Sequence, residues 1–399
     1  MKNKFEQLDS ILIANQQYWR YSPFYESSLD TVPSWHSANP SLQSWLCNLS
    51  LQEVNELRQD NKHLADEVTL FLPELQKIQK LIEIPESEEA DIALPKGFDS
   101  GIPGRKLDQI LSMSQSVLNQ SMSEEWLEWC SGKGYLGRIL AYSSERKVTS
   151  LEYQTCLCKS GQVEADKLGL PMHFVQGDAF ADEVADVFNK NQHAVALHAC
   201  GDLHVRLLQI GSGKHLPAMS VAPCCYHLVK APMYEPLSKS GMKSKLCLTK
   251  DELRIPLQEL VTGGARVQRH REQEMTYRLG LDSMLRSSAE NDTYIPIPSI
   301  KKSLLSNGFE WFCQWAADQK QLYLPSKDFE QFNEIGKKRF EKMEKLSLIQ
   351  DLFKRPLEMW LIYDKSLFLK EKGYKVNVST FCDRSVSPRN ILIQASLTV

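Results

Sequence analysis

The sequence lacks what would mark a membrane protein, a secreted one or a polyelectrolyte binder. No apolar run among its 399 residues approaches the ~20 needed to span a bilayer. The first ten residues, with Lys2, Lys4, Glu6 and Asp9, hold no apolar segment of the kind a secretory signal carries, so a cytoplasmic location is expected. There is no excess of one charge. Lys and Arg number 47 against 50 Asp and Glu, a net −3, so any surface for nucleic acid or anionic lipid must be local. Internal repeats and low-complexity tracts are absent. The ten cysteines lack the even spacing of a disulfide framework and read as reduced thiols. With 42% apolar residues, the chain has ample material for folded cores.

What is present divides by pattern. Residues 1–84 read as a helical N-terminal domain, since Leu51, Val54, Leu57, Leu64, Val68, Phe71, Leu75 and Ile78 recur at three- and four-residue steps. Pro73 is expected to interrupt them. Residues 85–104, rich in Pro and Gly and carrying Glu86, Glu88, Glu89 and Asp91, read as a linker. Residues 105–399 alternate strand and helix, the mark of a doubly wound parallel sheet. Candidate strands cover 125–130, 148–152, 172–176, 194–200 and 217–225, with helices over 105–118, 137–142, 154–168 and 181–191. A helix over 353–372 then leads to two closing strands, 374–381 and 391–397. A long insertion of helical pattern occupies about 228–350.

The sharpest motif is Glu128-Trp-Cys-Ser-Gly132-Lys133-Gly134-Tyr-Leu-Gly137, between an expected strand and an expected helix. Gly132 and Gly134 allow a tight turn and close approach of a ligand to backbone, and Gly137 allows close helix–strand packing. Glu152 ends the next strand, where a carboxylate can accept from both hydroxyls of a ribose. Such a loop serves dinucleotides and S-adenosylmethionine alike. Glu128, four residues ahead of Gly132, suits the ammonium of the methyl donor and would repel a pyrophosphate. Asp178 and Ala179 follow the third strand, where a carboxylate can accept from an adenine amino group. The closing antiparallel pair belongs to a seven-stranded methyltransferase sheet rather than to a dehydrogenase.

The chain resembles the class I S-adenosylmethionine-dependent methyltransferases. More narrowly, it is similar to a family carrying a CSGKGYLGR-like loop (Cys130–Arg138), an LHACGDL stretch (Leu197–Leu203), a CCYH stretch (Cys224–His227) and a terminal SPRN (Ser387–Asn390). Relatives in that family are labelled methyltransferase-like, ribosomal RNA adenine dimethylase-like and glutathione S-transferase C-terminal-domain-containing. The likeness covers roughly residues 100–230 and 350–399. It implies a Rossmann-like α/β fold with an antiparallel last strand, S-adenosylmethionine as cofactor, and His198 and Asp202 bordering donor or acceptor.

At the end of the fourth strand, His198 is a candidate base. The Asn/Asp-Pro-Pro-Tyr-like tetrapeptide of DNA and RNA amino-methyltransferases is missing there, which weighs against methylation of adenine N6. Cys224-Cys225-Tyr226-His227 ends the fifth strand. Adjacent cysteines on a strand point to opposite faces, so with Cys200 they are expected to make a metal-free pocket. The last strand should lie beside the fifth, bringing Arg389 next to Cys225 and His227, where it meets an anionic or planar acceptor; the alternative is a pairing of Arg389 with Asp383. In the insertion, Arg266, Arg269, His270, Arg271, Arg278 and Arg286, with Trp311, Phe312 and Trp315, suit RNA. The expectation is methyl transfer to a macromolecule, RNA slightly ahead of protein. The alternatives are a non-catalytic binding module that keeps the fold, or an NAD(P)-dependent oxidoreductase.

Overall fold

The computed structural model describes residues 1–30, 32–86, 91–120, 123–258, 265–287 and 294–398. Glu88 and Glu89 of the acidic run lie outside these. The chain forms two compact units. The first comprises residues 1–13, 80–258 and 355–399, and the second residues 14–79 and 259–354.

The first unit is built on one seven-stranded sheet, β1 (Glu125–Trp129), β2 (Val148–Glu152), β3 (Met172–Gln176), β4 (Gln192–Ala196), β5 (Ala218–Val221), β6 (Tyr374–Thr380) and β7 (Ile391–Leu397), in the order β3-β2-β1-β4-β5-β7-β6. The first five strands are parallel, with registers such as Trp126↔Val148 and Val195↔Ser220. Every residue of β2, β4 and β5 is buried, as helix-covered parallel strands require. β7 runs antiparallel to both β5, through Val221↔Ile393, and β6, through Thr380↔Ile391. The fold is therefore the Rossmann-like seven-stranded methyltransferase arrangement with its antiparallel last strand. Helices Gly104–Leu118 and Tyr135–Ser144 pack on the sheet in a core that includes Ile110, Met113, Val117, Trp126, Ile139, Val148 and Phe174.

Four expected elements differ. The strand expected over 217–225 stops at Val221, because Pro223 has no N–H for the ladder. The strand expected over 194–200 occupies Gln192–Ala196, freeing His198 and Cys200 for a loop. The helix expected over 181–191 is only the 3-10 turn Asp182–Val187. The closing helix is far longer than expected, running Phe329–Glu371 with Pro356 inside it.

The second unit is helical. Its helices include Pro40–Asn48, Leu51–Gln59, Asn61–Thr69 and Ala265–Arg286. Pro73 precedes the helix Glu74–Ile82, as its missing N–H leads one to expect. Ser50 and Glu53 form a capping box on Leu51–Gln59. One apolar cluster gathers Tyr277, Met284, Leu305, Phe309 and Phe312. Ion pairs also fasten this unit. Arg58 contacts Glu344 and, at 3.1 Å, Asp351, while Arg271 meets Glu344 at 2.6 Å and Arg339 meets Asp282 at 2.8 Å. Among the described residues, no helix is long and apolar enough to cross a membrane.

Candidate functional site

The glycine loop begins where β1 ends. Ser131 donates its N–H to Leu151 O at 2.9 Å and Gly132 donates to Glu152 Oε2 at 2.9 Å, so the loop is tied to β2. The other oxygen of Glu152 accepts from Gln154 N–H at 2.8 Å. Gly134 caps helix Tyr135–Ser144 in the left-handed region, with φ 71°. A Cβ there would come within 2.4 Å of the Phe174 ring, whereas one on Gly132 would meet nothing within 4 Å. Gly134 is therefore a packing glycine, and Gly132 is the one facing open space. Gly137 leaves room for the Glu128 carboxylate, 2.5 Å from where its Cβ would stand.

Glu128 is buried. Its carboxylate accepts from Ser150 Oγ at 2.8 Å and from the N–H groups of Leu136 and Gly137. Burial nevertheless raises its pKa to about 7, with the hydrogen bonds opposing. A small cleft opens beside it, lined by Lys106, Ser131, Tyr135, Leu197 and His198 among others. Ser131 Oγ is buried with no hydrogen-bond partner. Lys133 and Asp178 are exposed, Ala179 is buried, and Asp178 accepts from Phe180 N–H at 2.9 Å.

The other half of the sheet edge lies after β4 and β5 and before β7. His198 is exposed at the rim of the cleft beside Glu128. Desolvation lowers its pKa to about 4, helped by Lys106 and Arg389, so it is neutral at physiological pH and weaker as a base than its residue type led us to expect. Asp202 is partly buried at the start of helix Asp202–Gly213. Its Oδ2 accepts from Lys230 N–H at 2.8 Å, fastening the segment after CCYH. Gly201 adopts φ 56°, and a Cβ there would lie 2.0 Å from Leu228 O. Gly201 N–H donates to Cys224 O at 3.1 Å and Asp202 N–H to Leu228 O at 3.1 Å.

Cys224 and Cys225 lie beyond the strand, not on it. Cys225 takes a left-handed conformation, φ 47°, and the sulfur atoms of Cys200, Cys224 and Cys225 all lie within 4.8 Å of one another. The expectation that neighbouring cysteines diverge is corrected by this turn. Hydrogen bonding from the Cys224 thiol lowers the pKa of Cys200, and the same contact raises that of Cys224. His227 is half-buried, its Nδ1 has no partner, and desolvation lowers its pKa with Arg254, Lys250 and Arg389 contributing. The exposed Arg389 exerts its charge on His198, Cys200, Cys225 and His227. Its alternative partner, Asp383, instead accepts from Ser385 N–H at 2.7 Å.

The structure thus joins Glu128 and His198 at one cleft, ties Gly132 to Glu152, and gathers the three cysteines near Arg389. Sequence reading missed Ser131, Lys106 and the convergence of the sulfurs. The signal for the last was that two Cys-bearing loops end neighbouring strands.

Residues 105–232 match the model of a methyltransferase domain. The domain is methyltransferase-like. No curated protein matches the chain. Among solved structures, it is similar to a tRNA (uracil-54, C5)-methyltransferase of Pyrococcus abyssi in complex with S-adenosyl-L-homocysteine, at 16% identity and TM-score 0.25, covering 30% of this chain and 29% of that one. An S-adenosylmethionine-dependent methyltransferase of Aquifex aeolicus is 15% identical, with TM-score 0.23 and coverage of 37% and 71%. A geranyl diphosphate methyltransferase bound to its substrate and sinefungin is 11% identical, with TM-score 0.25 and coverage of 40% and 66%. The chain thus spans less than a third of the archaeal protein, and likenesses this slight carry no argument about substrate.

Groups that a bound cofactor could use stand around the glycine loop. Open space faces Gly132, the orphaned Ser131 Oγ looks for a partner, and carboxylates stand at Glu128, Glu152 and Asp178.

The basic residues raised as an RNA surface are mostly engaged within the second unit. Arg271 pairs with Glu344, Arg278 with Glu274 at 2.9 Å, and Arg286 with Asp282 at 3.0 Å. Trp311 and Trp315 stack at 6.5 Å against the apolar cluster, and Phe312 is buried inside it. Arg266 and Arg269 remain exposed, and His270 is half-exposed.

Proposed function

We propose that the chain transfers a methyl group from S-adenosylmethionine to a macromolecule, with RNA slightly favoured over protein. The observation that carries the reading is the glycine loop tied to the end of β2, in a sheet whose antiparallel β7 lies between β5 and β6, within a segment matching a methyltransferase domain. Bound there, the cofactor supplies an electrophilic methyl group on a sulfonium that is its own leaving group.

The chain's residues orient and desolvate. Gly132, Lys133, Gly134 and Gly137 shape the cradle, and Glu152 accepts from ribose hydroxyls. Asp178, with Ala179 beside it, accepts from the adenine amino group, and Glu128 provides negative charge near the ammonium. Neutral His198 and His227 offer ring nitrogens to an acceptor proton, and Arg389 holds an anionic or planar acceptor. Asp202 positions the loop that carries His227. Support for RNA rests on the exposed Arg266 and Arg269, which the ion pairs of the second unit leave free.

The test incubates the purified chain and labelled S-adenosylmethionine with extract from cells lacking the protein. Label in RNA is expected. Label in protein or small molecules would move the acceptor class, and no transfer to any fraction would favour the non-catalytic reading.

A further inference from the structure

We propose that Cys200, Cys224 and Cys225 form a binding site for a soft divalent metal ion, zinc foremost. Among the described residues, this is the one group whose His, Cys or carboxylate atoms come close enough together to hold an ion. Zinc–thiolate bonds of about 2.3 Å in a tetrahedron set the sulfurs about 3.8 Å apart. The observed spacings fit, with 3.4 Å between the sulfurs of Cys200 and Cys224 and all three within 4.8 Å.

The three thiols are presented by backbone rather than by chance contact. Cys200 and Cys224 form an isolated parallel β-bridge beyond the end of the β4–β5 pairing, whose last pair is Ala196↔Val221. The Gly201 N–H bond to Cys224 O and the Asp202 clamp on Lys230 hold the two loops in register. Cys225 reaches the cluster only by adopting φ 47°, a conformation unusual for a residue with a side chain. Strain at a polar cluster is the usual companion of a ligand there.

Charge and access agree. Three thiolates around a divalent cation carry one net negative charge, which the nearby Arg389 complements. Cys200 and Cys225 are partly exposed and Cys224 is buried, so the ion would enter from the solvent side. Three protein ligands leave a fourth tetrahedral position for water or for a heteroatom of a bound molecule, the pattern of zinc sites that act rather than merely brace. Each thiol gives up its proton on binding, so affinity rises with pH. The site does not depend on the methyl-transfer reading.

The test purifies the full chain under reductant without metal-chelating resin, equilibrates it with zinc, removes free metal and measures bound zinc by mass spectrometry. Cobalt is titrated in parallel. Roughly one zinc per chain and a thiolate-to-cobalt charge-transfer band are expected. Cys225→Ser should weaken binding by at least about tenfold with unchanged circular dichroism, while Cys313→Ser, in the helical unit, should not. Should Cys225→Ser fail to fold, the wild-type cobalt spectrum decides alone. A chain that takes up neither ion overturns the proposal. So does equal zinc retention in a folded Cys224→Ser/Cys225→Ser variant, or a Cys200–Cys224 disulfide whose reduced form binds no metal.

Discussion

The two compact units hold themselves together differently. In the second unit, charged side chains do the fastening, and Arg58, Arg271, Arg278, Arg286 and Arg339 are each locked to a carboxylate. At the carboxyl edge of the sheet in the first unit, backbone does it. The bonds from Gly132 to Glu152, Gly201 to Cys224 and Lys230 to Asp202 all employ main-chain N–H groups. The exposed Arg389 there instead acts by its charge on His198, Cys200, Cys225 and His227. Where backbone carries the structure, side chains are left for ligands. An arginine in the first setting is a brace, and one in the second is a candidate for chemistry.

The harshest way to break this contrast is to obstruct the backbone at the sheet edge. Gly201→Ala places a Cβ 2.0 Å from Leu228 O at φ 56°, adding a clash to conformational strain. A loss of roughly 5 kcal/mol is expected in denaturant unfolding, or failure to fold. A near-neutral result would show that the loops after β4 and β5 are not fixed by this contact. In the second unit the matching cut is Glu344→Ala, which strands the buried Arg58 and also frees the partly exposed Arg271 that shares it. About 4 kcal/mol should be lost.

Glu128 sharpens the comparison, being a buried carboxylate in the first unit held by N–H and O–H groups rather than by a cation. Its pKa of about 7 lies above the unfolded value of 4.5, so the folded chain binds the proton more tightly. The associated stability is fully present below about pH 4.5 and is lost as pH rises through about 7, at most roughly 3 kcal/mol. Glu128→Gln should flatten the pH dependence of unfolding across that window. An unchanged slope would mean the carboxyl is ionised throughout.

The smallest effect is expected at Arg389. Arg389→Ala should leave S-adenosylhomocysteine affinity and melting temperature nearly unchanged and slow methyl transfer about tenfold, the worth of one charge-assisted hydrogen bond. A variant that melts early yet methylates normally would return Arg389 to the class of braces.

Much of this contrast could be read in advance at the sheet. β2, β3 and β7 stand where the runs 148–152, 172–176 and 391–397 lie, β2 buried throughout and the edge strand β3 alternating buried and exposed residues, both of them strand signatures. The glycine loop was legible because Gly132, Lys133, Gly134 and Gly137 sit between strand and helix. The gathering of residues 14–79 with 259–354 into one unit was not, since pairs such as Arg58–Glu344 join positions nearly 300 apart and leave no periodic trace. The cysteine cluster escaped for a local reason. Strand alternation was carried through Pro223 to Cys225, where the backbone had already left the ladder and turned left-handed. The roles of Asp202 and Gly134 were legible only as positions, because hydrogen bonding to Lys230 and contact with Phe174 depend on the tertiary fold.

The central claim, that the backbone-held edge of the first unit cradles a methyl donor, is tested most directly by calorimetry on the full chain. S-adenosylhomocysteine and NADH would be titrated separately into wild type and into Glu152→Gln. The account predicts saturable binding of S-adenosylhomocysteine, weakened in the variant by about tenfold as one charged hydrogen-bond acceptor is lost, and no binding of NADH. Saturable NADH binding with no response to S-adenosylhomocysteine would contradict it.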